Sequence, residues 1–156
     1  MSAPGIDHEA RRAFLDALAV LAGFSAKPQF PRFRPDVYRC RTSDGAWFIG
    51  EAKASEGPGD LDAVGRLGRY VDVCRYCGAS ALFVLAVDVQ ETRGWRRQLL
   101  EALGAGVPVR SSTSGQSALI WAWYTPADGQ RVWTGHSTHL GLKARQTSRP
   151  CWSAFT

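Results

Sequence analysis

The sequence predicts an α/β fold, a sandwich in which helices flank one central mixed β-sheet. Three observations predict it. Amphipathic stretches of helical period alternate with short apolar stretches of strand length, an aromatic hairpin pattern precedes the second helical stretch, and Ala81 to Val87 is apolar throughout, as expected of a strand covered on both faces. With 156 residues the chain has the size of one domain. Its 45% hydrophobic and 21% charged residues exclude disordered and collagen-like classes. No apolar run has the length of a membrane span and Met1 to Asp7 lacks a secretory leader pattern, so a cytoplasmic protein with no membrane partner is expected.

Each element follows in order. Asp7 is placed to cap a first helix that carries Phe14, Ala17, Leu18 and Leu21 at helical spacing and is stopped by Gly23. From Lys27 the chain becomes proline-punctuated and aromatic: an extended piece through Phe30 and Phe33, a strand over Val37 to Arg41, a turn at Ser43-Asp44-Gly45, and a strand over Ala46 to Lys53. After the loop at Glu56 to Gly59, Asp60 caps a second helix with Leu61, Val64, Leu67, Val71 and Cys74 on one face, ended by Gly78. The apolar strand over Ala81 to Val87 is expected centrally in the sheet. Thr92 to Leu103 is a third helix with Trp95, Leu99 and Leu103 inward, and Ala118 to Tyr124 is a last strand with Leu119, Trp121 and Trp123 on one face. Strands are expected antiparallel at the hairpin and parallel wherever a helix crosses over. The core domain thus covers residues 1–125, and residues 126–156 form a polar, basic C-terminal extension on or trailing from it.

A net charge of +5 and an isoelectric point near 9.3 fit a polyanionic partner. Arginine supplies most of it: only Lys27, Lys53 and Lys143 are lysine, a bias that a GC-rich genome would equally produce. Residues 27–41 and the segment after Ala102 are the two electropositive regions, the first placing Arg32, Arg34, Arg39 and Arg41 around Asp36.

Asp36, Glu51 and Lys53 stand where a half-buried hairpin would ordinarily carry neutral residues. Residues two apart share a strand face, so Glu51 and Lys53 lie together and Ala52 opposite. A turn centred on Asp44-Gly45 puts Asp36 across from Lys53 and diagonal to Glu51; one centred on Ser43-Asp44 puts Asp36 across from Glu51. Either even loop makes one shared face, on which two carboxylates within roughly 5 to 8 Å converge on one cation. A hard divalent ion needs little more than two carboxylates, a carbonyl and water. A surface ion pair in a hairpin is the bland alternative.

Arg34-Pro35-Asp36-Val37 followed by Trp47-Phe48-Ile49-Gly50-Glu51-Ala52-Lys53 resembles the signature of the PD-(D/E)XK nuclease superfamily, a Pro-Asp and then an apolar strand ending in Glu-x-Lys. The similarity covers roughly residues 5 to 125. It implies a restriction-endonuclease-like α-β-β-β-α-β core followed here by a further α-β, with Asp36, Glu51 and the Ala52 carbonyl holding Mg2+, for which Mn2+ substitutes, and Lys53 serving the hydrolytic water. Many members add an acidic residue from the first helix; Glu9 fits that place, and fits equally a carboxylate favoured at a helix start. Arg32, Arg34, Ser55, Arg66 and Arg69 are candidates for contacts to the nucleic-acid backbone.

The resemblance therefore implies an endonuclease hydrolysing DNA phosphodiester bonds, with RNA as a further possible substrate and a homodimer or larger complex as the working form. The competing expectation is a non-catalytic basic module that binds nucleic acid or protein on the same scaffold. Cys74-x-x-Cys77, with Cys40 and Cys151 elsewhere, falls short of a zinc pattern, and His136 and His139 lack an acidic neighbour. Trp47, Trp121, Trp123, Trp133 and Trp152 are candidates for stacking on bases, Trp121 and Trp123 also for core or a dimer surface.

Overall fold

The computed structural model describes residues 4–28, 35–53, 61–104 and 106–126. The chain runs α1 (Pro4–Leu21), β1 (Val37–Cys40), β2 (Trp47–Ala52), α2 (Leu61–Cys77), β3 (Ala81–Asp88), a 3-10 turn (Val89–Glu91), α3 (Thr92–Leu103), β4 (Arg110–Ser114) and β5 (Ser117–Tyr124). The five strands form one mixed sheet in the order β1-β2-β3-β5-β4. It is an α/β fold with an open sheet between helices, and among the described residues no helix is long and apolar enough to cross a membrane.

Strand β2 organises the core. All six of its residues are buried, and alternation sends Trp47, Ile49 and Glu51 to one face, Phe48, Gly50 and Ala52 to the other. On the first face Trp47, Ile49, Phe83, Leu85, Val87, Ile120 and Ala122 pack against Leu67, Tyr70, Val71 and Cys74 of α2 and Trp95 and Leu99 of α3. Among the described residues the second face receives one helix, α1, with Leu15 and Ala19 against Val37, Phe48, Val84 and Ala86. β2 and β3 are parallel, joined by α2 as a crossover, which is why β3 is apolar on both sides.

Several expectations are corrected. α1 begins at Pro4, a residue suited to a first helical turn, so Asp7 lies inside the helix and does not cap it. Its buried line is Arg11, Leu15 and Ala19 at i, i+4 and i+8, and Phe14 and Leu21 of the expected face are exposed, because α1 lies across the sheet one strip further round its axis. Only two strands precede α2 among the described residues; in the place of a third, Ala26 forms an isolated antiparallel bridge with Cys40, and Phe30 and Phe33 lie outside the described residues. The crossover rule holds at α2 and fails at α3. A strand that the hydrophobic pattern does not predict, β4, takes the chain back so that β5 enters antiparallel to β3. Its sequence, Arg-Ser-Ser-Thr-Ser, carries no apolar alternation because it is an exposed edge strand. Of β5, the inward face is Ala118, Ile120, Ala122 and Tyr124, and Trp123 is 44% exposed. Asp60 and the loop before it, like the extension 127–156, lie outside the described residues.

The hairpin register settles which residues meet. Val37 pairs with Gly50 and Cys40 with Trp47, so partner numbers sum to 87, the register of a turn centred on Ser43-Asp44. The loop is closed by Arg41 N–H to the Ala46 carbonyl at 2.8 Å and Gly45 N–H to the Arg41 carbonyl at 2.7 Å. Asp44 binds Arg41 through both carboxylate oxygens, at 2.9 and 2.7 Å, and accepts the Ala46 N–H, so a local network fixes an even loop.

Gly50 marks the tightest packing on β2: a methyl there would stand 3.0 Å from a Phe48 ring carbon, 3.3 Å from Val37 Cβ and 3.4 Å from a Leu15 methyl. Gly50→Ala is therefore expected to cost about 1–3 kcal/mol by overpacking, read as a lower urea midpoint at unchanged m value.

Candidate functional site

The candidate site lies where β1 starts and β2 ends. Beyond the Val37–Gly50 pair the register brings Asp36 opposite Glu51. Asp36 Oδ2 accepts the Ala52 N–H at 2.8 Å and stands 3.4 Å from His8 Nε2 of α1. The carboxylate thereby replaces the backbone acceptor that β1, already bent away, no longer supplies to β2. In an extended strand the N–H and C=O of one residue point to the same side. The Ala52 carbonyl therefore opens toward Asp36, whereas Lys53 N–H turns to β3 and bonds the Ala86 carbonyl at 2.9 Å.

Glu51 is 3% exposed, an unusual burial for a carboxylate. Its Oε1 lies 3.5 Å from Lys53 Nζ and 3.8 Å from Arg66 Nη1, and Oε2 accepts the Tyr70 hydroxyl at 3.1 Å. Burial, and then the negative charge of Asp36, push the Glu51 carboxyl above the usual range; Lys53, Tyr70 and Arg66 offset only part of this. The Tyr70 hydroxyl is likewise pushed up, by burial and by Glu51, and stays a proton donor. Lys53 Nζ sits 5.4 Å from the centre of the buried Trp95 ring, close enough for a cation–π contact.

Arg11 completes the frame from α1. Its guanidinium donates to the Lys53 carbonyl at 2.6 Å and to Ser117 Oγ at 3.1 Å, and reaches Asp88 Oδ2 at 4.0 Å. One side chain thus ties the ends of β2, β3 and β5. Asp88 also caps the 3-10 turn, accepting the Gln90 N–H at 2.9 Å.

Of the residues singled out from the sequence, Asp36, Glu51, Ala52, Lys53 and Arg66 are brought together. Arg69, one turn beyond Arg66, is exposed. Glu9 is exposed on the neighbouring strip of α1, about 100° from His8, and it is His8 that meets Asp36. Arg32, Arg34 and Ser55 lie outside the described residues. Arg39 and Arg41 do not add free charge beside Asp36: Arg39 is bound by both carboxylate oxygens of Asp16 at 2.7 and 3.1 Å, and Arg41 is held by Asp44 at the far end of β1. Trp47 is fully buried, edge-on to Tyr38 at 5.7 Å, and out of reach of any base. Cys40 and Cys74 are free buried thiols, kept protonated by burial.

Among the described residues no three His, Cys, Asp or Glu side chains gather into a metal cluster. The donors present are two carboxylates and a carbonyl. They suit a hard divalent cation that retains water, and a cation would relieve the repulsion that raises Glu51. Set against protein-family models, curated proteins and solved structures, the chain matches none.

A raised folded-state carboxyl stabilises fully below its unfolded value of 4.5, and that stability is lost as pH rises through the folded value. In EDTA, Glu51→Gln is expected to gain thermal midpoint relative to wild type as pH rises from about 4.5 to 8 and to match it near pH 4. Parallel melting curves across this range read the difference.

Proposed function

We propose that the chain is a metal-dependent nuclease of the PD-(D/E)XK type, with a restriction-endonuclease-like core, that hydrolyses phosphodiester bonds in DNA. One observation carries this reading. At the paired ends of β1 and β2, Asp36 faces Glu51 and the ammonium of Lys53 stands 3.5 Å from the Glu51 carboxylate. The order α1, β1, β2, α2, β3 around that pair supports it.

Asp36, Glu51 and the Ala52 carbonyl would hold Mg2+ or Mn2+, which supplies Lewis acidity at the phosphoryl oxygens. Glu51 is kept in place by Tyr70 and Arg66, so its carboxylate need not reorganise when a cation binds. Lys53, mostly sheltered and braced by its backbone on both sides, directs Nζ to the edge of the pair, where it orients a water and balances charge developing on phosphorus. His8 gives Asp36 a second polar neighbour and limits its rotation. One such site cuts one strand, so cutting both strands of a duplex would take two copies of the chain.

A second reading is favoured by the same carboxylate. Both Glu51 oxygens already have cationic or hydroxyl neighbours, the arrangement of a structural ion pair in a non-catalytic binding module. Calorimetry separates the two: the nuclease binds Mn2+ or Mg2+ through Asp36 and Glu51, and the module binds neither.

Wild type is expected to cleave DNA with Mg2+ or Mn2+ and not in EDTA. Asp36→Ala and Lys53→Ala should each lower the rate by about 100-fold or more, as loss of a charge-stabilising or proton-handling group does. Cleavage by both variants at the wild-type rate would refute the assignment.

A further inference from the structure

The two faces of the sheet are unequally covered. Among the described residues α2 and α3 cover one face, whereas α1 on the other crosses β1, β2 and β3, meets β5 only through the partly buried Leu119 and Trp121, and leaves Trp123 and β4 open. On that open face β5 presents Ser117, Leu119, Trp121 and Trp123 in succession, and β4 places Ser112 beside Leu119 and Arg110 beside Trp121. Between α1 and these strands runs a groove of about 270 Å3, with Phe14 on its helical wall, Ala86 and Leu119 in its floor and Ser112, Ser114 and Ser117 along its rim. Arg11 lines the same groove and holds the Lys53 carbonyl, so the groove reaches the sheet end at which Asp36 meets His8 of α1, and the Glu51 and Lys53 side chains leave that end toward α2 and α3.

We infer that this face is a track for an unpaired nucleic-acid strand leading to the candidate site, an inference that rests on the nuclease reading and names its substrate class. Aromatic groups stand along it with one exposed arginine, Arg110, among them, the kinds of group that hold a single strand. Phe14 is 52% exposed at the groove and Trp123 is 44% exposed at the other end of β5, each able to take a base on its ring. Arg110 is exposed beside Trp121 and supplies a cation for a phosphate. The guanidinium of Arg41, held by Asp44, packs 5.5 Å from the centre of the Trp123 ring and 4.6 Å from that of Phe24 and steadies the Trp123 ring from one side. The groove lies just below the roughly 300–1,000 Å3 of ordinary small-molecule pockets, room for one ring system. Its hydroxyl rim meets a base edge without demanding one sequence. A paired base cannot enter it or stack on Trp123, so the strand must be open.

The experiment uses the full chain in EDTA with single-stranded oligonucleotides, DNA and RNA in separate arms, carrying the fluorescent base 2-aminopurine. Wild type is expected to bind them with quenching of the base. Trp123→Ala and Phe14→Ala should each weaken binding by about tenfold and lose quenching, with Trp123→Phe restoring both. Arg110→Ala should lower the salt slope by about one. Both positions are half-exposed, and far-UV circular dichroism checks that the variants remain folded. Wild-type affinity in both alanine variants overturns the track. So does a loss of dimer in those variants, seen by light scattering without loss of oligonucleotide binding, because a second copy then occupies the face. The nuclease reading fails separately: quenching that depends on Phe14 and Trp123, with no Mg2+- or Mn2+-dependent cleavage, keeps the track and removes the enzyme, and the reverse pattern keeps the enzyme alone.

Discussion

A carboxylate at the end of a strand buried on both faces is the constraint around which this domain is arranged. Glu51 leaves water almost completely, and an ionised group in that position must find compensation from its neighbours. The compensation comes from separate parts of the chain: Lys53 two residues on, Arg66 and Tyr70 from the crossover helix. Asp36 works against it from the hairpin partner strand, as its charge raises the Glu51 carboxyl further. A fold selected only for stability would place an apolar residue at position 51, where Trp47 and Ile49 of the same face already sit in the core. Two carboxylates held close together at a sheet edge are the sort of unfavourable pairing that binding sites retain for use.

Legibility of the fold followed how local each determinant is. α2, β3 and α3 were read nearly to the residue, because an amphipathic period or an unbroken apolar run states both type and extent, and Gly78 and Gly104 end the helices with positive φ. The inward strip of α1 was misread because its most enclosed line begins with Arg11, a charge that a hydrophobic pattern counts as outward. β4 left no trace, since an edge strand of serines and threonine looks like a loop until β5 pairs with it. The antiparallel entry of β5 then follows from that hairpin and from no feature of β5 itself.

Parity carried the candidate site further than motif length alone. Alternation placed Glu51 and Lys53 on one face, and the choice between two registers for Asp36 was decided by the Asp44 network that closes the loop. Tyr70, His8, Arg11 and Trp95 are absent from the sequence-based site for one physical reason: each reaches it across a tertiary contact, and a side chain's direction across such a contact is only weakly written in its neighbours. A signal did exist for Tyr70, which follows Arg66 by one turn on the inward strip of α2. His8 precedes Arg11 by a similar step on α1, so both would have emerged had the inward strip of α1 been read from Arg11 instead of from Phe14.

The unequal covering of the sheet connects these observations. Two helices on one face bury enough apolar surface to hold β2 and β3 rigid, and the candidate groups sit on the ends of those strands, where rigidity is transmitted to Asp36 and Lys53 through backbone hydrogen bonds. On the other face α1, the one helix there among the described residues, is bound electrostatically as well as by packing, through Arg39 to Asp16 and Arg11 to three strand ends. That economy leaves the α1-side positions of β5 and β4 less enclosed than the inward positions Ala118, Ile120, Ala122 and Tyr124, so their side chains are not required to be apolar. β5 nevertheless keeps two tryptophans on its open side, beside an edge strand of hydroxyl groups and an arginine. Trp121 packs in part against the α1 side of the core and Trp123 rests on Phe24 and Arg41, so each ring is held in place by one side while the half-exposed Trp123 offers the rest of its surface to a partner with flat faces.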